Sequence, residues 1–251
     1  MNTKYAEIEN RDWQAEVDAR VSWLKEMLKS TGAKGFVFGN SGGKDSALVG
    51  VLCRLASENT MGVVMPCNTM QNFESDKSHA SLLAVKFDIH NHLVVLDRVY
   101  EHLSAEMSLM EHEGPAGINM APRLRMTALY ALALQYGRLV VGTGNRSEIY
   151  TGYFTKYGDG GYDINPIADL TASEVYLMSK FLKIPDEILE KAPSAGLLEG
   201  QTDEGEMGFS YKVLDEFLLG ISKPPQEVLG KINHMNKISE HKRRMPVVYC
   251  R

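Results

Sequence analysis

Cysteine is scarce in this chain. Its 251 residues include Cys53, Cys67 and Cys250 only, an odd number without metal-ligand spacing, which points to reduced thiols rather than a disulfide scaffold or a zinc site. Long apolar runs are missing too. Stretches such as Leu139 to Val141 fall far short of the roughly 18 residues a membrane span needs, and Met1 to Arg20 is too charged for a secretory signal. A cytoplasmic location is therefore expected, with no membrane partner. Nor is there a basic excess: 27 Lys and Arg stand against 32 Asp and Glu, a formal charge of -5. That balance disfavours a nucleic-acid binder working through a broad basic face, and a polyanionic ligand would need a local cluster of cations. Repeats and low-complexity segments are absent from the sequence. What is there, 44% hydrophobic and 24% charged residues, is an ordinary globular composition in a length suited to one large domain or about one and a half average ones.

Hydrophobic spacing orders the chain. Trp13, Val17, Val21, Leu24 and Leu28 recur at helical intervals and predict an amphipathic N-terminal helix. Gly35 to Phe38 reads as a short buried strand, followed by a glycine-rich turn and a helix from about Asp45 to Glu58. Further strands are expected at Met61–Met65, His92–Leu96 and Leu139–Thr143, with helices at about Ser75–Phe87 and Ile118–Tyr136 between them. Short apolar strands separated by helices imply an α/β fold, a Rossmann-like parallel sheet with helices on both faces. Past Gly144 the pattern changes to Gly, Tyr and Asp, then to helices at about 171–182, 210–219 and 225–240. The expectation is a nucleotide-binding core over about 1–144, with a substrate loop and helical C-terminal extension over about 145–251. Glu199 to Gly208 has the composition of a mobile loop or a solvated turn.

The most informative segment is Gly39-Asn40-Ser41-Gly42-Gly43-Lys44-Asp45-Ser46, between the first strand and a helix. Its glycines let the backbone turn N–H groups inward, and the helix start adds partial positive charge, so the turn can cradle phosphate. It is not a Walker A loop, which would need glycine at Phe38 and Ser or Thr at Asp45. An acid at Asp45 repels a triphosphate unless a divalent cation lies between them. A second segment, Gly142-Thr143-Gly144-Asn145-Arg146-Ser147, imitates the dinucleotide fingerprint but lacks its third glycine and follows the fourth strand rather than the first. The nearly all-apolar helix at 118–136 carries one polar stripe, Asn119, Arg123, Thr127 and Tyr130. Arg125 is rotated about 200° from Arg123. The stripe selects Arg123 as the arginine facing a site and leaves Arg125 to a structural or intersubunit ion pair.

SGGKDS resembles the pyrophosphate loop of the ATP pyrophosphatase superfamily. With Asn119 to Met126 (NMAPRLRM), Gly142 to Ile167 (GTGNRSE through DINPI), Lys191 to Leu197 (KAPSAGL), the TDEGEMGFSY stretch and His241-Lys242-Arg243-Arg244, most of the chain resembles the ammonia-dependent NAD synthetase family. That resemblance implies the adenine nucleotide alpha hydrolase-like fold, a homodimer, Mg2+ as cofactor, and deamido-NAD, ATP and ammonia as substrates that yield NAD, AMP and pyrophosphate. By resemblance, Gly39, Asn40, Ser41, Gly42, Gly43, Lys44, Asp45, Ser46, Thr143 and Ser194 contact ATP. Asp45 and Glu148 hold the metal, and Arg123, Lys156, Asp163, His241 and Lys242 contact deamido-NAD. No protein nucleophile or general base is expected. One departure stands out: the family commonly reads Asp-Leu-Tyr-Lys-Thr where this chain has Asp169-Leu170-Thr171-Ala172-Ser173, so Ala172 replaces a lysine that helps bind ATP. Lys44, Lys180 or Lys183 could assume its role. Rival expectations are another ATP pyrophosphatase, a nucleotide-binding module without chemistry, or an NAD-dependent dehydrogenase. The length leaves no room for a glutaminase domain, so nitrogen is expected as free ammonia or from a separate partner.

Overall fold

The computed structural model describes residues 3–67, 73–108, 114–190 and 203–250. Helices α1 (Thr3–Glu9) and α2 (Trp13–Thr31) precede strand β1 (Phe36–Gly39). Then follow α3 (Lys44–Ala56), β2 (Thr60–Val64), α4 (Phe73–Phe87), β3 (His90–Leu93), α5 (Asp97–Glu106), α6 (Pro115–Tyr136) and β4 (Leu139–Val141). The remainder is helical: α7 (Arg146–Thr151), α8 (Ala172–Phe181), α9 (Asp186–Leu189), α10 (Asp203–Met207), α11 (Tyr211–Leu218), α12 (Gln226–Ile238) and α13 (Glu240–Arg243).

The four strands form one sheet in the order β3-β2-β1-β4, and every pairing is parallel. Period-2 alternation divides the core between its faces. Phe36 and Phe38 pack with Leu48, Val51 and Leu52 of α3 and with α2 and α8. Val37, Met61, Val63 and Val140 face the other way, onto Tyr100 of α5 and Met120, Ala121 and Ala133 of α6. A third cluster, with Leu214, Phe209 and Ile232, holds the C-terminal helices together. The sheet therefore has helices on both faces, as the apolar strands required.

Local chemistry sets the boundaries. In α2 the Asp12 side chain caps the first turn, accepting from Ala15 N at 3.0 Å, and Gly32 closes the helix at φ 71°. Helix α6 starts on Pro115 and ends on Gly137 at φ 65°. Three expectations need correction. The third strand begins earlier than expected and is polar, because β3 is an edge strand whose side chains need not be buried. The apolar residues beyond it still reach β2's continuation, Val94 N donating to Val64 O and Leu96 N to Pro66 O, each at 2.9 Å. Helix α5 was not foreseen, although Leu96, Tyr100, Leu103 and Met107 recur at helical spacing; only Tyr100 and Ser104 are buried along it. The stretch expected as a loop at 199–208 contains helix α10, with Asp203 and Met207 buried; its first residues lie outside the described ones. Among the described residues no helix is long and apolar enough to cross a membrane.

Candidate active site

Strand order places the site. Sheet growth from β1 runs through β2 to β3 on one side and to β4 on the other, so loops leaving the carboxyl ends of β1 and β4 diverge around a crevice. Phe38 pairs with Val141, and the SGGKDS turn and the TGNRSE segment leave the sheet side by side.

The first loop is built from its own residues. Gly42 adopts φ +72°, open to glycine at little cost. Gly43 is the extended N-cap of α3 and supplies no side-chain cap, which leaves first-turn N–H groups of the helix directed at a ligand. Ser46 Oγ donates to Gly43 O at 2.9 Å and lies 3.1 Å from Ser41 Oγ. Asn40 is buried at the end of β1, its N–H donating to Val63 O at 2.8 Å.

Two carboxylates meet across the crevice through one asparagine. Asn145 N donates to Glu148 Oε2 at 2.8 Å, while Asn145 Nδ2 donates to Asp45 Oδ1 at 2.9 Å. Asn145 also caps α7, its Oδ1 accepting from Ser147 N and Glu148 N, so a capping box fixes Glu148. Lys44 Nζ pairs with Asp45 Oδ2 at 2.8 Å. Burial and then the charge of Asp45 push Glu148 well above the usual carboxylate range, against the pull of Lys44 and the Asn145 N–H. Burial draws Lys44 down, but Asp45, Glu148 and Asp203 outweigh it and its pKa is raised. Facing carboxylates of this kind suit a hard divalent cation. Among the described residues no group of three or more His, Cys, Asp and Glu could hold a metal, so such an ion would share Asp45 and Glu148 with substrate oxygens, a Mg2+ pattern. Thr143 lies half-buried just past β4. Ser194 falls outside the described residues.

The expected substrate residues converge on the turn at 152–163. The polar stripe of α6 does face it. Thr155 Oγ1 donates to Asn119 Oδ1 at 2.7 Å, Arg123 Nε to Lys156 O at 3.4 Å, and Tyr130 Oη to Asp163 Oδ1 at 3.1 Å. Arg125 Nε donates to Met65 O at 3.0 Å, and its charge also acts on Asp159 of the turn, opposing the upward push of desolvation on that carboxyl. Asp163 Oδ2 also accepts from Val140 N at 2.8 Å. Lys156 Nζ donates to the His241 carbonyl at 2.5 Å, and Lys242 Nζ to Gly152 O at 2.8 Å and Phe154 O at 2.7 Å. The basic run at 241–244 is thus no free tail: Arg243 donates to Ile149 O and Tyr150 O at the end of α7. Burial holds Lys242 below the ordinary lysine pKa.

Gly142 has a local reason unrelated to dinucleotides, since a Cβ there would lie 2.4 Å from the Tyr162 ring. The imperfect fingerprint is a packing feature. Sequence reasoning missed three neighbours of the acids. Asn145 was legible as the Asn-x-x-Glu of a capping box. Tyr211 donates to Asp203 Oδ2 at 3.0 Å, and its pKa is raised by burial and by the nearby charges of Glu148, Asp203 and Asp45; no local pattern announced this pair. Ala172, at the start of α8, opens onto a pocket of about 300 Å3 that Lys44, Ser173, Tyr211 and Asp215 also line.

The NAD synthase family model matches residues 16–246. The chain belongs to the NAD synthase family. An NH(3)-dependent NAD(+) synthetase of Alkaliphilus oremlandii is 46% identical over 93% of this chain and 96% of its own. The NMN synthetase structure from Francisella tularensis superposes with a TM-score of 0.89 at 37% identity, covering 96% of this chain and 99% of that one. An NH3-dependent NAD synthetase from Campylobacter jejuni, solved with a nitrate ion, gives a TM-score of 0.78 at 28% identity over 95% and 99% of the two chains.

Proposed function

We propose that the protein amidates deamido-NAD with ammonia at the expense of ATP, giving NAD, AMP and pyrophosphate. The observation that carries this reading is the pairing of Asp45 and Glu148 through Asn145 beside the SGGKDS turn, in a chain of the NAD synthase family. The nicotinate carboxylate attacks the α-phosphorus of ATP, and the bond to the β-phosphate oxygen breaks to release pyrophosphate. Ammonia then adds to the acyl-adenylate carbonyl, the C–O bond to AMP breaks, and the nitrogen loses a proton to leave the amide. Mg2+, held by Asp45 and Glu148, would supply neutralising charge to the polyphosphate. The chain's own part is positioning and charge stabilisation. The N–H groups at the start of α3 receive phosphate oxygens, the SGGKDS turn fixes the reacting α-phosphorus, and the turn at 152–163 with Arg123 presents the nicotinate end. ATP as co-substrate fits a cytoplasmic enzyme, and exposed Leu134 and Tyr136 on α6 fit a homodimer packed on that helix.

The test is direct. Protein incubated with ATP, Mg2+, ammonium and deamido-NAD should release AMP and NAD in equal amounts. Asp45→Asn should abolish both while leaving the far-UV circular dichroism intact; near-normal turnover would remove the metal role. AMP without NAD would mean a different acceptor. The likeness to an NMN synthetase favours a second reading, with nicotinate mononucleotide as acceptor. The ratio of kcat/KM for the two acceptors decides between them.

A further inference from the structure

We infer that Asn91, on the edge strand and outside the crevice, is a positioning residue that sets the phosphate loop through Asn40. This deepens the proposed reading of that loop as an ATP site and rests on it. The argument begins at Gly62. In the parallel register Phe38 pairs with Gly62 and Gly62 with Asn91, so these three residues share one face of the sheet, with Asn40 two positions beyond Phe38 on the same side. A side chain at Gly62 would fill the space between them: its Cβ would lie 2.6 Å from Asn91 Oδ1, 3.2 Å from Phe38 and 3.3 Å from Asn40 Cβ. Glycine leaves a gap across which two asparagines from non-adjacent strands meet. Asn40 Nδ2 donates to Asn91 Oδ1 at 3.1 Å, and Asn91 Nδ2 donates to Ala80 O of α4 at 2.9 Å.

The orientation of both amides follows from the chain of donors. Ala80 O can only accept, so Asn91 must turn its nitrogen to α4 and its oxygen to Asn40. Asn40 then spends its nitrogen on Asn91 and turns its own oxygen to the loop, where it accepts from Gly42 N at 3.4 Å. Gly42 is the residue whose left-handed backbone makes the turn. A continuous line of hydrogen bonds thus runs from α4 through β3 to the pivot of the phosphate loop. Asn40 is 2% exposed, so without Asn91 its amide nitrogen would be left dry and unpaired, and a rotation to find a new acceptor would release Gly42. A buried amide that loses its partner carries its full desolvation cost.

The test uses the full chain and measures equilibrium binding of Mg2+ with the non-hydrolysable α,β-methylene analogue of ATP by calorimetry, alongside steady-state kinetics. Asn91→Ala is expected to weaken analogue binding by roughly 5-fold, the scale of one buried hydrogen bond, while KM for deamido-NAD stays within about twofold because the relay does not reach the turn at 152–163. Asn91→Asp keeps the oxygen that Asn40 uses but sets a second acceptor against Ala80 O, so it should lose less analogue affinity than Asn91→Ala. In the Asn40→Ala background, Asn91→Ala should cost nothing further. Unchanged analogue binding in N91A, losses that multiply in the double variant, or equal rises in both substrate constants would overturn the relay. So would an N91A that does not fold, since Asn91 would then be a residue of the general fold. Failure of the unaltered protein to bind the analogue would overturn the ATP reading itself, and is distinguishable because it appears before any variant is made.

Discussion

Asn145 does more than close a helix end. It is fully buried, and the same side chain that caps α7 donates to Asp45. Asn145→Ala should cost about 1 kcal/mol of stability from the lost cap, seen as a lower thermal midpoint, and should raise the Mg2+ concentration needed for half-maximal AMP release. A fall in stability without a change in Mg2+ dependence would make the asparagine a cap only. Lys44 supports a second prediction. Its ammonium pairs with Asp45 and borders the pocket onto which Ala172 opens. We read it as the cation that stands in for the family's lysine at Ala172. Loss of a charged hydrogen bond is worth about 1.5–3 kcal/mol, so Lys44→Met should raise KM for ATP by at least roughly tenfold. Adding Ala172→Lys should recover most of that loss, because the roughly 300 Å3 pocket can take the longer side chain. No recovery in the double variant would separate the two positions.

Elements differ in how plainly the sequence announces them. Helix α2 and strands β1, β2 and β4 bury continuous or regularly spaced apolar residues, so pattern alone finds them. Strand β3 lies at the sheet edge and has no fully buried residue, so pattern is silent there. The polar stripe on α6 was legible because it is the exception on an apolar helix. Its partners in the turn at 152–163 were not, since Thr155, Lys156 and Asp163 lie more than thirty residues away along the chain. The close contact of α7 with the C-terminal helices also escaped local rules. Gly152, at φ +70°, ends α7 directly under Ser239, where an added Cβ would sit 2.0 Å from the Ser239 Cβ. Gly152→Ala therefore combines a left-handed backbone penalty of about 1 kcal/mol with an overpacking cost of about 1–3 kcal/mol. Urea denaturation should show the sum. KM for deamido-NAD should rise as well, because Lys242 is anchored on Gly152 O.

At the scale of the whole molecule, the chain is matched almost end to end by relatives named for using ammonia, 96% of one and 99% of another. Against a net charge of -5, Arg123, Lys156 and Lys242 all bond to or from the turn at 152–163, a local set of cations of the kind an anionic ligand needs. The proposed homodimer would pack on α6, where Leu134 is 87% exposed and Tyr130 and Tyr136 are partly exposed. Leu134→Glu should shift the elution volume and light-scattering mass to those of a monomer; an unchanged mass would move the proposed dimer face elsewhere. The nitrogen source follows from the chemistry of the acceptor. Release of ammonia from glutamine needs a nucleophile to attack the side-chain amide. Among the described residues Cys53 and Cys67 are buried, with burial pushing the Cys67 thiol up to about 11 and Cys53 higher still, so neither is a thiolate near neutral pH. Cys250 is exposed, beyond α13, and its thiol donates to the Val248 carbonyl at 3.9 Å, an acceptor that cannot take the thiol proton. The purified chain should therefore make NAD with ammonium as nitrogen source and none with glutamine alone. NAD formation from glutamine in ammonia-free buffer would overturn this and point to a hydrolytic centre on the same chain.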